Sequence, residues 1–198
     1  MTRRRLPRSV RPRRGARRLL VRGGLFARIA LGFACLLQAQ SRQHTPGEAQ
    51  IKAAFVYNFA KFVEWPDEAA SPAAPMVVGV VGDPQLADVV DETLRDKNVR
   101  GRRFLVRHFA SLDDLALCHI LLVASQDKLA VQRSLHVARA SPTLTIGEVQ
   151  GFSDQGGVIE LVLEDNKFRF EINAGAARRG GLKVSSRLLR LARSVKGN

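Results

Sequence analysis

Apolar and polar residues follow two different periods along this chain, and each change of period marks an element. Between Ile51 and Pro66, Ile51, Phe55, Phe59 and Phe62 recur at helical spacing, with Val56 and Val63 beside them. At about 100° per residue they form one apolar arc, and Tyr57, Lys61 and Glu64 project from the opposite side. Asn58 borders that arc and needs hydrogen-bond partners if it is buried. The spacing predicts an amphipathic helix with Ile51, Phe55, Phe59, Phe62 and Val63 in the core. Pro66 ends it, because the residue before a proline is pushed out of the α region. Tyr57, Lys61 and Glu64, with Trp65 at the helix exit, are the residues of this segment expected to meet a partner.

Downstream, short apolar runs alternate with helical patterns. Met76–Gly82 reads as a buried strand and Pro84–Leu94 as a helix with Leu86, Val89, Val90 and Leu94 on one face. Arg102–His108 and Cys118–Val123 are further strands. Asp127–Arg139 is a helix that opens on Asp as N-cap, and Thr143–Gly147 is a fourth, short strand. This alternation indicates an α/β arrangement with parallel pairing. Period two then takes over: Val158–Leu163 and Lys167–Ile172 flank Glu-Asp-Asn, read as a three-residue hairpin loop. Asn173 is placed to cap a short helix ending at Gly180-Gly181. Ser185 is placed to cap a last helix that turns Leu188, Leu191 or Ala192, and Val195 inward. The expected fold is a single-domain α/β sandwich: a mostly parallel sheet, a C-terminal antiparallel hairpin and terminal helices.

Charge divides the chain unequally. Of a formal net charge of +14, residues 1–39 contribute 11 Arg and no acid, so the remainder carries only +3. The nine-residue apolar run Ile29–Leu37 follows those arginines, and Ala39 offers a small residue for cleavage. A basic region, a short apolar core and a small residue are the parts of a secretory signal peptide. The run is too short to span a bilayer, which needs roughly 20 residues. A transit peptide would be Ser-rich, Arg17-Arg18 is a weak twin-arginine match, and Cys35 sits inside the apolar core rather than at a lipidation site. A nucleic-acid arm would not need the apolar run behind it. The leader is long, which a translation start near Val21 would explain. The reading is a signal peptide over 1–39, a flexible stretch over 40–47 and one domain over 48–196, exported to the periplasm.

The exported part keeps one cysteine, Cys118, in an apolar run of strand length, where it serves as a small buried hydrophobe. His119 points to the opposite strand face, so the two do not form a Cys–His pair. His44, His108 and His136 lack metal-ligand spacing, and no metal site or cofactor is expected. Gly79-Val-Val-Gly82-Asp-Pro has neither the third glycine of a dinucleotide fingerprint nor the Gly-Lys-Ser/Thr of a phosphate loop. The carboxylate pairs Asp113-Asp114 and Glu164-Asp165 read as solvated turns, and no Ser stands in a nucleophile elbow. No catalytic residue is assigned and no enzyme is expected.

Seven segments together resemble the YfiR family of periplasmic proteins. In order they are Ala53–Pro66, Val77–Gly82, Cys118-His-Ile-Leu-Leu, Leu144-Thr-Ile, Phe152 with Gly156-Gly157, Phe168–Asn173 and Ala176–Ala192. The resemblance implies a periplasmic repressor that binds the sensor region of an inner-membrane diguanylate cyclase and restrains cyclic-di-GMP synthesis. It also implies sequestration by an outer-membrane lipoprotein, and a homodimer is compatible with it. The best-understood member contains disulfides; with Cys118 alone, the exported chain forms none internally, so redox control does not carry over. A small-molecule-binding sensor, with its ligand at the strand ends of the sheet, is the alternative function.

One charge asymmetry survives export. From Ala174 onward there are seven basic residues and no acid, against a net charge of −4 over residues 40–173. Arg187 and Arg190 are the candidates from this end for docking on an acidic partner surface or anionic headgroups; no nucleic-acid partner is expected.

Overall fold

The computed structural model describes residues 46–66, 74–110 and 118–197. The expected leader, the stretch up to residue 45, most of the loop after Pro66 and the Asp113-Asp114 pair lie outside them. Helix α1 (Pro46–Phe62) leads into β1 (Val63–Glu64). A βαβ unit follows: β2 (Met76–Val81), α2 (Pro84–Leu94), then β3 (Asn98–Val99) and β4 (Arg102–Phe109). Next come β5 (Ile120–Val123), α3 (Lys128–Ala138), β6 (Leu144–Gly147), β7 (Ile159–Glu164) and β8 (Lys167–Asn173). The chain closes with α4 (Ala174–Arg179), β9 (Lys183–Val184), α5 (Ser186–Leu191) and β10 (Ser194–Lys196).

Eight strands form one sheet in the order β10-β8-β7-β6-β5-β2-β4-β3, and β1 pairs with β9 in a separate ribbon. β2 runs parallel to both β4 and β5, β5 to β6, and β6 to β7, whereas β7–β8 and β3–β4 are antiparallel. The sheet is therefore mostly parallel with the expected antiparallel hairpin. Asp83 and Asp127 cap α2 and α3 by accepting from the Leu86 and Leu129 amides.

Two cores lie on the two faces of the sheet. The larger joins α1, α2 and α5 to Val78, Val80, Ile120, Leu122, Ile146 and Phe170. The smaller sets α3, through Val131, Leu135 and Ala138, against Val81, Leu121, Val123 and Phe109. Phe152 fills this second core from the β6–β7 connection, which carries turns instead of a helix. Its ring lies so close to Gly147 and Gly157 that a Cβ on either would sit 2.4 or 2.2 Å from it. Gly79 makes the same room for Phe109, at 2.6 Å, so this glycine serves packing.

The connection is tied down by a buried carboxylate. Glu160 accepts from the Gly151 amide at 2.9 Å, the Ser153 amide at 2.9 Å and the Ser153 hydroxyl at 2.8 Å. Asn173, while capping α4, also donates to the Ser153 carbonyl at 2.7 Å. Lys196 reaches Ser153 Oγ at 3.1 Å and Asp154 at 2.7 Å. The Asp154 hydrogen bond, followed by Glu171, raises the Lys196 pKa above its ordinary value.

Several boundaries and faces differ from the sequence reading. Phe59 and Val63 are buried as expected, with Phe55 and Phe62 packed against the core, but the buried side of α1 also takes in Ala49, Ala53, Val56 and Ala60. Ile51 is left 45% exposed, while Lys52 is 1% exposed and pairs with Glu148 at 2.7 Å. Asn58 is exposed. α1 ends at Phe62 rather than at Pro66, because β1 leaves to pair with β9. The hairpin loop has two residues, not three: Asp165 and Asn166 both take positive φ, 48° and 60°, as a tight turn matched to strand twist requires. After α5 the chain extends into β10 alongside β8, which places Val195 in a strand and leaves Leu191 63% exposed.

Removing the Glu160 carboxylate leaves two buried amides without their acceptor. Glu160→Ala is expected to cost about 3 kcal/mol in urea unfolding, with Glu160→Gln losing less. Burial pushes the Cys118 thiol up to about 12. With the folded value raised, this group adds no pH dependence below about 8.5 and lowers stability as pH climbs from there toward 12. Native Cys118 should resist iodoacetamide at pH 8 and react fully in denaturant, as mass spectrometry would record.

Candidate functional site

α1 and α5 are neighbours on the outer side of the larger core. The Ser185 amide donates to the Phe62 carbonyl at 2.9 Å, and the Arg187 guanidinium lies 5.7 Å from the Phe62 ring centroid. In the β1–β9 ribbon Glu64 is opposite Lys183. Lys61, Glu64, Lys183, Arg187 and Arg190 are all exposed, and Glu64 pairs with Arg100 at 3.7 Å. Of the seven C-terminal basic residues, Arg193 and Lys196 are spent on Glu164, Glu171 and Asp154. Among the described residues Lys183, Arg187 and Arg190 form no ion pair. They give the α5 side of the molecule a free positive charge.

Tyr57 turns toward the other side of α1. Its half-buried ring meets Phe104 edge-on at 6.1 Å, and Lys61 and Lys97 stand over it at 5.2 and 5.7 Å. Trp65 is buried, which corrects its expected place on the surface. Its indole N–H donates to the His119 carbonyl at 3.2 Å, and the two rings meet edge-on at 6.4 Å. His119 Nδ1 accepts from the Val77 amide at 3.1 Å, and Arg102 Nη2 lies 2.9 Å from Nε2. Arg102 also donates to the carbonyls of Ala74 and Pro75, and burial lowers its pKa. This cluster braces the amino ends of β2, β4 and β5. Among the described residues no group of three or more His, Cys, Asp or Glu is placed to hold a metal ion.

Two cavities adjoin at the amino ends of β6 and β7, of about 430 and 560 Å³, sharing Arg139, Ser141, Arg179 and Gly180. Leu135, Val158 and Ala176 give the first an apolar wall, and Thr143 and Thr145 add hydroxyls. Gly156, at φ 99°, admits the Arg139 guanidinium, which donates to the Gln155 carbonyl at 3.2 Å. Two cations beside hydroxyls and an apolar wall suit a small organic anion. Open α/β sheets more often hold ligands at the opposite, carboxyl strand ends. A crevice of about 390 Å³ does lie there, lined by His108, Asp127 and Arg133. Asp83 and Asp127 already occupy the helix amides flanking it, leaving less to attract an anion. Sequence reasoning missed Arg139 and Ser141, which belong to no motif; only Arg179 carried a signal, as part of the basic C-terminal run.

Among the described residues no helix is long and apolar enough to cross a membrane. No curated protein matches the chain. The fold is shared with the crystal structure of a conserved domain protein from Vibrio cholerae O1 biovar El Tor, with 13% identity and a TM-score of 0.52. That match covers 75% of this chain and 60% of the Vibrio one, so this chain spans about 60% of that protein's length. A Streptococcus pneumoniae ABC domain solved in complex with L-Trp has 12% identity and a TM-score of 0.47, covering 74% of this chain and 60% of that one. A family model described as YfiR/HmsC-like matches residues 49–193, which takes in most of α1, every strand of the eight-stranded sheet except β10, and α5. On that match, the chain belongs to the YfiR/HmsC-like family.

Proposed function

We propose that this protein is a periplasmic regulator. It restrains an inner-membrane diguanylate cyclase, or a similar receptor, by protein–protein contact and so lowers cyclic-di-GMP. Family membership over residues 49–193 is the observation that carries this reading. The interior chemistry is compatible with a protein that works by binding. Cys118 is held as a thiol by its raised pKa, and the His119 ring and Arg102 are engaged with backbone groups. The leader read from residues 1–39 supplies the export route, and an outer-membrane lipoprotein is the second partner the family suggests.

The free positive charge of Lys183, Arg187 and Arg190, with Lys61 of α1 and Glu64 of β1 beside it, is the proposed contact surface; Tyr57, turned toward Phe104, lies off it. Exposed charges at the rim of an interface act mainly through association rate and are screened by salt. The sensor-module reading keeps one specific support, the Arg139–Arg179 cleft. A ligand there would tune the regulator rather than undergo reaction.

Deleting the gene should raise cellular cyclic-di-GMP, and the purified protein should retain the periplasmic region of a membrane cyclase or receptor in pull-downs. No change in cyclic-di-GMP together with no membrane partner would defeat the regulator reading. Combining Arg187→Glu with Arg190→Glu should weaken capture about tenfold at low salt, with the deficit shrinking as salt is raised. For the cleft, thermal-shift screening with small aromatic and aliphatic carboxylates and phosphates should find a stabilising anion. At a hundredfold excess over Kd it contributes about 2.7 kcal/mol, a rise of several degrees. Arg139→Ala combined with Arg179→Ala should abolish that rise, and a flat response across the panel would remove the sensor reading.

A further inference from the structure

β4 is an eight-residue strand at one side of the sheet, and among the described residues only β3 pairs with its outer edge. β3 pairs with Arg102 and Arg103 only, across a tight turn at Arg100 and Gly101 (φ 53° and 80°), because the chain enters it straight from the end of α2, where the Lys97 amide still bonds the Leu94 carbonyl. From Phe104 to Phe109 no strand among the described residues pairs with the outer edge. Natural sheets blunt such edges with short edge strands, charged side chains, proline or bulges, because a free row of amides and carbonyls is a template for another strand. Here β3 covers two residues, and the exposed Arg103 and Arg107 repel basic strands while leaving acidic ones a match. Phe104–Phe109 has no proline, and its register with β2 is unbroken from Met76↔Phe104 to Val81↔Phe109.

The side chains along this edge state what would fit. Phe104 and Val106 are half-buried on the face covered by the larger core, with Tyr57 against Phe104. On the other face Arg103, Leu105 and Arg107 stand in a row; Leu105 is 37% exposed and neither arginine is in an ion pair. A second copy pairing antiparallel would gather four arginines on one face of the joint, and like charges across strands are destabilising. Asn98 of β3 already stands opposite Arg103, so an added strand would match that face with an apolar residue opposite Leu105, a carboxylate opposite Arg107 and a terminal carboxylate reaching Arg103 from the strand's end. Apolar residues at the positions between would extend the cover over Phe104 and Val106.

We propose that the outer edge of β4, residues Phe104–Phe109, is a docking site for an extended acidic segment of a partner protein, which joins the sheet as an added strand. Main-chain hydrogen bonds would supply affinity, and Arg103 and Arg107 would select for acid. This goes beyond the regulator reading, since it names the partner's conformation and charge pattern without requiring that the partner be a cyclase.

The test uses the full-length chain and a synthetic peptide, Glu-Val-Leu-Val-Glu flanked by serines. Controls are its Lys-Val-Leu-Val-Lys counterpart, a copy N-methylated at alternate amides, and phosphatidylglycerol vesicles. Binding is read by fluorescence anisotropy and by amide hydrogen exchange. The acidic peptide should slow exchange across Phe104–Phe109, the basic and N-methylated peptides should bind at least tenfold more weakly, and combining Arg103→Glu with Arg107→Glu should reverse the charge preference. Both arginines are exposed, so the variant should fold; unchanged near-ultraviolet dichroism checks this, and Leu105→Lys offers a second variant expected to weaken the acidic peptide. Equal binding of acidic and basic peptides, no protection of Phe104–Phe109, or protection by vesicles alone would overturn the proposal. None of these outcomes bears on cyclic-di-GMP, so this inference and the regulator reading fail independently.

Discussion

Where β7 begins, the carboxylate of Glu160 is taken out of water and surrounded by two amides and a hydroxyl from the β6–β7 connection. A charge in that position is tolerated only with its hydrogen bonds made, so it dictates the path of residues 148–157. Once that path is fixed, Phe152 is delivered onto Gly147 and the second core closes under α3. Ser153, held by the same carboxylate, presents its carbonyl to Asn173 and its hydroxyl to Lys196. The cap of α4 and the seat of the terminal strand β10 thus depend on one buried group. A helix in this crossover would have covered the face with its own hydrogen bonds; turns need an internal acceptor, and Glu160 is that acceptor.

The same economy appears wherever a polar side chain is buried. Lys52 meets Glu148, Arg102 donates to the Ala74 and Pro75 carbonyls, and Ser134 returns its hydroxyl to Ala130. Thr143 donates to the Cys118 carbonyl, and Thr145 accepts from the Val158 amide. Apart from the Ser134 bond, which stays within α3, each ties an element to another part of the chain. Interior polarity in this protein is structural, and the chemistry left for recognition lies at the surface: the α5 cations, the Arg139–Arg179 cleft and the outer edge of β4.

Much of the fold could be read from the chain because its signals are local. The β2–α2 and α3–β6 alternation, the Asp83, Asp127, Asn173 and Ser185 caps, and the period-two hairpin all stand within a few residues of sequence. What could not be read depends on distant partners. Periodicity gave α1 an apolar arc centred on its phenylalanines. Phe59 and Val63 do lie in the core, but the buried arc is displaced to take in Ala49, Ala53 and Ala60 and to leave Ile51 out, and Lys52 is buried because Glu148, far along the chain, neutralises it. Trp65 looked like an exposed helix exit until β5 supplied the His119 carbonyl for its indole. β10 was hidden because its three residues have no pattern of their own; they become a strand only beside β8. The cleft was illegible for the same reason, as Arg139 and Arg179 come together from separate helix ends.

The uneven use of the C-terminal charges also explains why a net charge says so little about where a partner would sit. Arg193 and Lys196 neutralise Glu164, Glu171 and Asp154, and Arg178 holds the Gly197 carbonyl, so these three serve to seat β10. Arg179 faces the cleft. Only Lys183, Arg187 and Arg190 project without an ion pair, and they cluster because α5 begins where the β1–β9 ribbon ends. On the other face of the sheet, at the edge of β4, Arg103 and Arg107 are likewise in no ion pair. With the charge left on two separate surfaces, the contact proposed at α5 and the strand proposed at β4 would not draw on the same side chains. A single basic patch would force them to compete.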